Sequence, residues 1–291
     1  MASHGSSFQK VFMGAAGSGG GQTLDITGAS ITAVKDVTSD GIFNPSGLFI
    51  KPDGSKFYVL DDHVGNDIHE YNLSTNYIIS SASLSQKKSL LYSNAQWGQL
   101  GAPADFYIRS DGVKLFLLDK AGYRVSAWTF GTAWDVSTLS LDSGGLAVVP
   151  NTGATNNTAL GLHFKDDGTV LYVSYEKGDY VRQFSLSTAW TVSSTVSADG
   201  TFDISSQAGE CSSLRFNADG TQFFLLNDNE RVYGYDLSTA WDISSASYAQ
   251  VSPSGVFNSS ENSGQGLVFD PDGLYMYFIG ETDEKIEQAT L

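Results

Sequence analysis

The chain has 291 residues, 12% of them aromatic and only 16% charged, with a formal net charge of −16. That length accommodates a well-buried core. The acidic balance excludes nucleic acid as a partner, because phosphate binding runs on clustered Lys and Arg and nothing beyond Lys87-Lys88 forms such a cluster.

Residues 1–22 are dominated by Ser, Gly and Ala and contain the run Gly17-Ser18-Gly19-Gly20-Gly21, which predicts a flexible leader. Phe8, Lys10, Val11 and Phe12 stand in it as an attachment peptide expected to order on a partner. Glycines follow the apolar patch Val11 to Met13 at once, so it makes a poor signal-peptide core. No run approaches the ~20 apolar residues of a membrane helix, so no membrane insertion is expected. Residues 23–291 are expected to form a single repeat domain.

The repeat is marked by Asp-Gly at Asp53-Gly54, Asp111-Gly112, Asp167-Gly168, Asp219-Gly220 and Asp272-Gly273, spaced by 58, 56, 52 and 53 residues. That period is the length of a propeller blade. Apolar alternating runs flank each Asp-Gly, as in Leu162-His163-Phe164 before and Leu171 to Val173 after, and predict a hairpin whose turn uses the positive φ that glycine accepts. A third alternating strand follows, for example Val181-Arg182-Gln183-Phe184. A turn of the form LSTAWDIS comes next (Leu73 to Ser80, Phe130 to Ser137, Leu186 to Ser193, Leu237 to Ser244), leading into a fourth, Ser/Thr-rich strand. Four strands per unit and five units predict an all-β, five-bladed β-propeller, with blades beginning near 47, 104, 160, 212 and 265.

The last unit is split between the chain ends. Leu291 matches Leu237, and Thr23 to Ser30 matches Ala240 to Ser247. The segment from about Leu24 to Val37 is therefore expected to supply the fourth strand of blade five and to close the ring, which removes open sheet edges. The leader would then sit at the perimeter, away from the channel mouth.

Aligned columns carry further content. Positions six and four before each Gly are apolar (Leu48, Phe106, Leu162, Leu214, Leu267; Ile50, Ile108, Phe164, Phe216, Phe269) and are read as inter-blade packing. Seven before lie Gly47, Asp105, Gly161, Ser213 and Gly266, small residues suited to the crowded axis. Asp105 is the exception and would point a carboxylate into the channel. The column Tyr77, Trp134, Trp190, Trp241 and Leu24 is read as a repeated structural staple rather than a ring of sugar-stacking platforms. Cys211, the single cysteine, is read as a small buried strand residue, not a reactive thiol.

No catalytic constellation is evident. His4, His63, His69 and His163 form no HExxH or zinc pattern, and neither a nucleophile elbow nor a P-loop occurs. The loops after the second strands are acidic (Asp61-Asp62-His63, Asp119-Lys120, Glu281-Thr282-Asp283) and share one face. Solvated turns are their ordinary reading. No cofactor is expected, although Asp61, Asp105 and Asp119 are candidate ligands for Ca²⁺, and paired carboxylates could serve glycoside hydrolysis. The loops entering the blades vary most, and Trp97, Asn151, Asn156 and Asn157 are candidate ligand contacts.

The leader Phe8 to Gly21 and the LSTAWD(I/V)S repeat together resemble virion proteins of tailed bacteriophages. The resemblance implies a non-enzymatic tail or capsid component in the virion, made in the host cytoplasm without a signal peptide. Its leader would bind other virion proteins and its exposed face a host-surface glycan. The alternatives are a carbohydrate-binding propeller lectin, or a glycoside hydrolase or lactonase working from the acidic rim.

Overall fold

The computed structural model describes residues 22–291 apart from 64, 92, 95–97, 100, 149–157, 193–197, 258–263 and 282–283. Five antiparallel sheets of four strands are arranged as a β-propeller, and the described helical segments are single 3₁₀ turns. Blade one runs Pro45–Ile50, Lys56–Asp61, Asp67–Leu73 and Ala82–Ser89 from axis to rim. The innermost strands of blades two to five are Pro103–Ile108, Ala159–Phe164, Cys211–Phe216 and Gly264–Phe269, each starting within two residues of the expected boundary.

Blade five is completed by Ser30–Asp36, which pairs antiparallel with Lys285–Thr290 in a register running from Ser30 opposite Thr290 to Asp36 opposite Lys285. The ring is thus closed by a strand made near the start of the chain.

The core is divided among the blade interfaces. Five apolar clusters form wedges, such as Phe116, Leu162, Phe164 and Val173 between blades two and three, and Leu48, Ile50, Tyr277 and Ile279 between blades one and five. Close packing of flat sheet faces supplies most of the apolar burial that drives folding. At the axis the blades approach until only small residues fit. A Cβ added to Gly161 would lie 2.4 Å from Ser174 Oγ and 2.6 Å from the backbone nitrogen of Leu214 in the next blade.

The Tyr/Trp/Leu column is a staple. The Asp-Gly glycines have φ of +64° to +74°. The ring of Trp134, Trp190 or Trp241 covers Gly112, Gly168 or Gly220 so tightly that a methyl there would fall 2.2–2.3 Å from ring atoms. Tyr77 covers Gly54, and Leu24 covers Gly273, in the same way. The other contact is made to the preceding blade: Phe49 stacks on Trp134, Tyr107 on Trp190 and His163 on Trp241. Cys211 is fully buried, and that burial pushes its thiol well above the ordinary range, which makes it inert.

Candidate functional site

In a four-stranded meander the hairpins joining first and second strands gather on one face. The loops after the second strands and the loops entering the blades gather on the other. A cavity of about 550 Å³ opens at the axis on the hairpin face. Its wall is built from the residue five before each Asp-Gly glycine, namely Phe49, Tyr107, His163, Arg215 and Val268, and its rim from the turns, including Ser110, Asp166 and Asp272.

Arg215, on this wall, is paired with Asp105. Arg215 is 4% exposed and Asp105 not at all. The guanidinium meets both carboxylate oxygens, Nη1 to Oδ2 at 2.7 Å and Nη2 to Oδ1 at 2.8 Å. It also donates to the carbonyls of Leu48, Leu162 and Leu214. Asp105 Oδ2 accepts the amide of Leu162 at 2.9 Å, and its Oδ1 accepts its neighbour Phe106. One ion pair from blades four and two therefore holds backbone groups of blades one, three and four. A buried pair of this kind survives because its remaining donors and acceptors are also met.

His163 is a cavity-wall residue with a buried polar atom that the fold leaves unmet. It is 8% exposed, and its Nδ1 has no hydrogen-bond partner. The ring lies against Tyr107 (5.2 Å) and Phe216 (5.2 Å). Burial, and secondarily the Arg215 cation, holds its pKa well below the usual histidine value, so it is neutral. Buried polar atoms are ordinarily hydrogen-bonded, and this unmet one belongs to a ring that lines the cavity. Asp166, on the turn that follows His163, carries a carboxyl pushed up by desolvation at the rim and by Asp167. Asp270 is raised by burial, against the pull of the Tyr275 and Leu274 amides.

The carboxylates singled out from the sequence have other work. Asp61 Oδ1 accepts the amides of Asn44 (2.7 Å) and Phe43 (3.3 Å), and Asp119 Oδ1 those of Ala121 (3.0 Å) and Ala102 (3.2 Å). Both tie the loop entering their own blade to the end of its second strand. Asp62 is paired with Lys120 at 3.2 Å. Asp105 does not present a free carboxylate to the channel, since Arg215 occupies both of its oxygens. Among the described residues no three His, Cys, Asp or Glu side chains are grouped so as to hold a metal ion. Trp97, Asn151, Asn156 and Asn157, and the leader positions Phe8, Lys10, Val11 and Phe12, lie outside the described residues. The expected placement of the leader is corrected at its last residue: Gln22 lines the cavity, and its carbonyl accepts Asn217 Nδ2 at 3.4 Å. Residue 22 therefore stands at the hairpin-face mouth rather than clear of it.

The wall column escaped the sequence reading because it falls between the two apolar columns that mark the core. Its signal was chemical scatter (Phe, Tyr, His, Arg, Val) within otherwise uniform apolar strands.

No protein-family model matches the chain, and no curated protein matches its sequence. Solved structures do resemble it. A protein from Lactobacillus plantarum superposes with TM-score 0.48 at 16% identity, over 72% of this chain and 56% of that one. A protein from Bacteroides fragilis named provisionally as a 6-phosphogluconolactonase gives 0.46 at 14% identity, over 82% and 64%. A periplasmic gluconolactonase from Pseudomonas aeruginosa gives 0.43 at 14% identity, over 72% and 53%. The chain spans between about half and two thirds of the length of these structures.

These findings correct the expectation of a non-enzymatic phage virion protein. The named structures similar to the chain are lactonases, and none of those described is a phage protein. At such identities the likeness is one of architecture, and activity has to be argued from the cavity.

Proposed function

We propose that the protein binds a small sugar-derived molecule in the central cavity and hydrolyses it, with a sugar lactone as the substrate class. The observation that carries this reading is the unmet Nδ1 of buried His163 on an aromatic wall, with the Asp166 carboxyl on the adjoining rim. Flat apolar faces such as Tyr107 and Phe216 suit the C–H face of a sugar ring, while neutral imidazole and carboxylate suit its oxygens.

In such a reaction Asp166 takes a proton from water as the new carbon–oxygen bond forms at the lactone carbonyl. The ring carbon–oxygen bond then breaks, and the ring oxygen leaves with that proton. A carboxyl whose pKa is raised is the better proton acceptor, and the neutral His163 ring orients the substrate. The lactone is chosen for assay because two of the propellers above bear that name; the reading itself rests on the cavity.

The test is proton release from glucono-1,5-lactone above its spontaneous hydrolysis. Turnover is expected, with Asp166→Asn lowering it about 100-fold or more and His163→Phe weakening substrate binding. A rate equal to the spontaneous one, together with no binding of the lactone or its hydroxy-acid product, overturns the reading.

A further inference from the structure

Resting on that reading, we infer that the cavity selects an unphosphorylated, uncharged sugar and rejects its phosphate ester. The argument is one of charge placement. Three carboxylates line the cavity, those of Asp166, Asp270 and Asp272. The one cation among the described lining residues is Arg215, whose charge is spent on both oxygens of Asp105 at 2.7 and 2.8 Å. His163 is neutral and contributes no charge.

The other cations near the mouth are turned elsewhere. Lys51, Arg109 and Lys165 each pair with the Asp of their own turn, Asp53, Asp111 and Asp167, at 2.7, 2.5 and 2.8 Å. Lys51 and Arg109 also lean over the Trp134 and Trp190 rings, 5.7 and 5.8 Å from their centroids. A phosphate entering here would meet negative charge, with no guanidinium fork or ammonium among the described lining residues free to receive it. Phosphate recognition elsewhere depends on such donors. A neutral sugar pays no such penalty, and its hydroxyls can donate to the carboxylates.

The experiment measures binding of glucose against glucose 6-phosphate by calorimetry, and turnover of glucono-1,5-lactone against its 6-phosphate, at low and high ionic strength. The phosphorylated member of each pair is expected to be weaker by about tenfold or more at low salt, and the gap should narrow as salt rises. Asp272→Asn, which removes rim charge without touching the proposed reacting groups, should narrow it several-fold. A phosphorylated compound that binds or turns over as well as its neutral partner overturns this inference and leaves the cavity reading standing. A gap indifferent to both salt and Asp272→Asn overturns it too. Failure of all four compounds to bind or react overturns both readings.

Discussion

Tyr58 and Glu70 face each other across the second and third strands of blade one, and both grip the same turn of blade two. Tyr58 Oη donates to the carbonyl of Trp134 at 2.9 Å, and Glu70 Oε2 accepts the amide of Val136 at 3.1 Å. The pairing recurs. Tyr172 and Gln183 do the same to Trp241 and Ile243, and Tyr277 and Gln288 to Tyr77 and Ile79. Blades two and four carry Phe116 opposite Ala127 and Phe224 opposite Gly234. In blade four, Gln250 of the outer strand fills the space over Gly234 and accepts the amide of Ile26 at 2.9 Å. In blades one, three and five the hydroxyl and the acceptor thus come from facing residues of the second and third strands, whereas in blade four Gln250 supplies the acceptor without a hydroxyl.

This pairing predicts an asymmetry among substitutions of Glu70. Glu70→Gln keeps the acceptor and matches blades three and five, so it should cost under about 1 kcal/mol. Glu70→Leu strands the Val136 amide and the Lys56 ammonium and should cost about 2–4 kcal/mol. Tyr58→Phe removes one neutral hydrogen bond, worth about 1 kcal/mol. Denaturant titration reads all three, and equal costs for Gln and Leu would show that the inter-blade bond is not what Glu70 supplies.

The axial ion pair makes a second prediction. Asp105→Asn leaves a buried guanidinium without its counter-charge and should destabilise by about 3–5 kcal/mol, as should Arg215→Met. The double variant should cost clearly less than the sum of the two. Additive losses in a double-mutant cycle would mean that the two side chains act independently.

Stability should fall on the acid side of pH 6.5. Burial lowers the pKa of His163 and His69 in the folded chain, whereas the unfolded chain takes up these protons near pH 6.5. Below that pH the unfolded state binds more protons, so stability is present above it and lost as pH drops. His163, held well below the usual value, accounts for about 1.4 kcal/mol between pH 7.5 and 5.5, and His69 adds a loss of the same sign. Asp62, Asp166 and Asp270, whose pKa values are raised, contribute with the opposite sign in more acidic solution. His163→Phe should remove half or more of the loss between pH 7.5 and 5.5, as measured by melting temperature across that range. An unchanged pH slope would show that the ring is not held neutral.

Gly161→Ala tests the crowding at the axis. The added methyl meets Ser174 and the Leu214 backbone well inside contact distance, and two blades must part to admit it. A loss of about 2–3 kcal/mol is expected, whereas Gly28→Ala, which meets nothing within 4 Å, should be near neutral. Thermal melts of the two variants side by side decide it.

Much of this fold is legible because each blade repeats the same local chemistry. The five Asp-Gly turns, the large side chain over each glycine (aromatic in four of the five) and the split last unit are all periodic, and periodicity survives alignment of the chain with itself. The site is the reverse case. His163 and Arg215 matter because they differ from Phe49 and Val268 in the same column, and alignment by similarity discounts such differences. Asp105 shows the limit of reading one position alone. Its carboxylate looked free for the channel until Arg215, 110 residues away in sequence, was brought against it. The acidic loops misled for a related reason, since Asp61 and Asp119 satisfy backbone amides that a sequence does not display.

The closing strand Ser30–Asp36 bears on how the molecule is made. It is synthesised ahead of blades one to four, yet among the described residues its sheet partner is Lys285–Thr290, which follows them. Blades one to four can assemble as they emerge, each from contiguous chain, while this strand waits unpaired until Lys285–Thr290 has been made. Pairing across such a separation carries the largest loop-closure cost in the fold and belongs to its slowest step. Until then the outer edge of Lys285–Thr290 and the strand Ser30–Asp36 both lack their partner, the state most exposed to mispairing with a second copy.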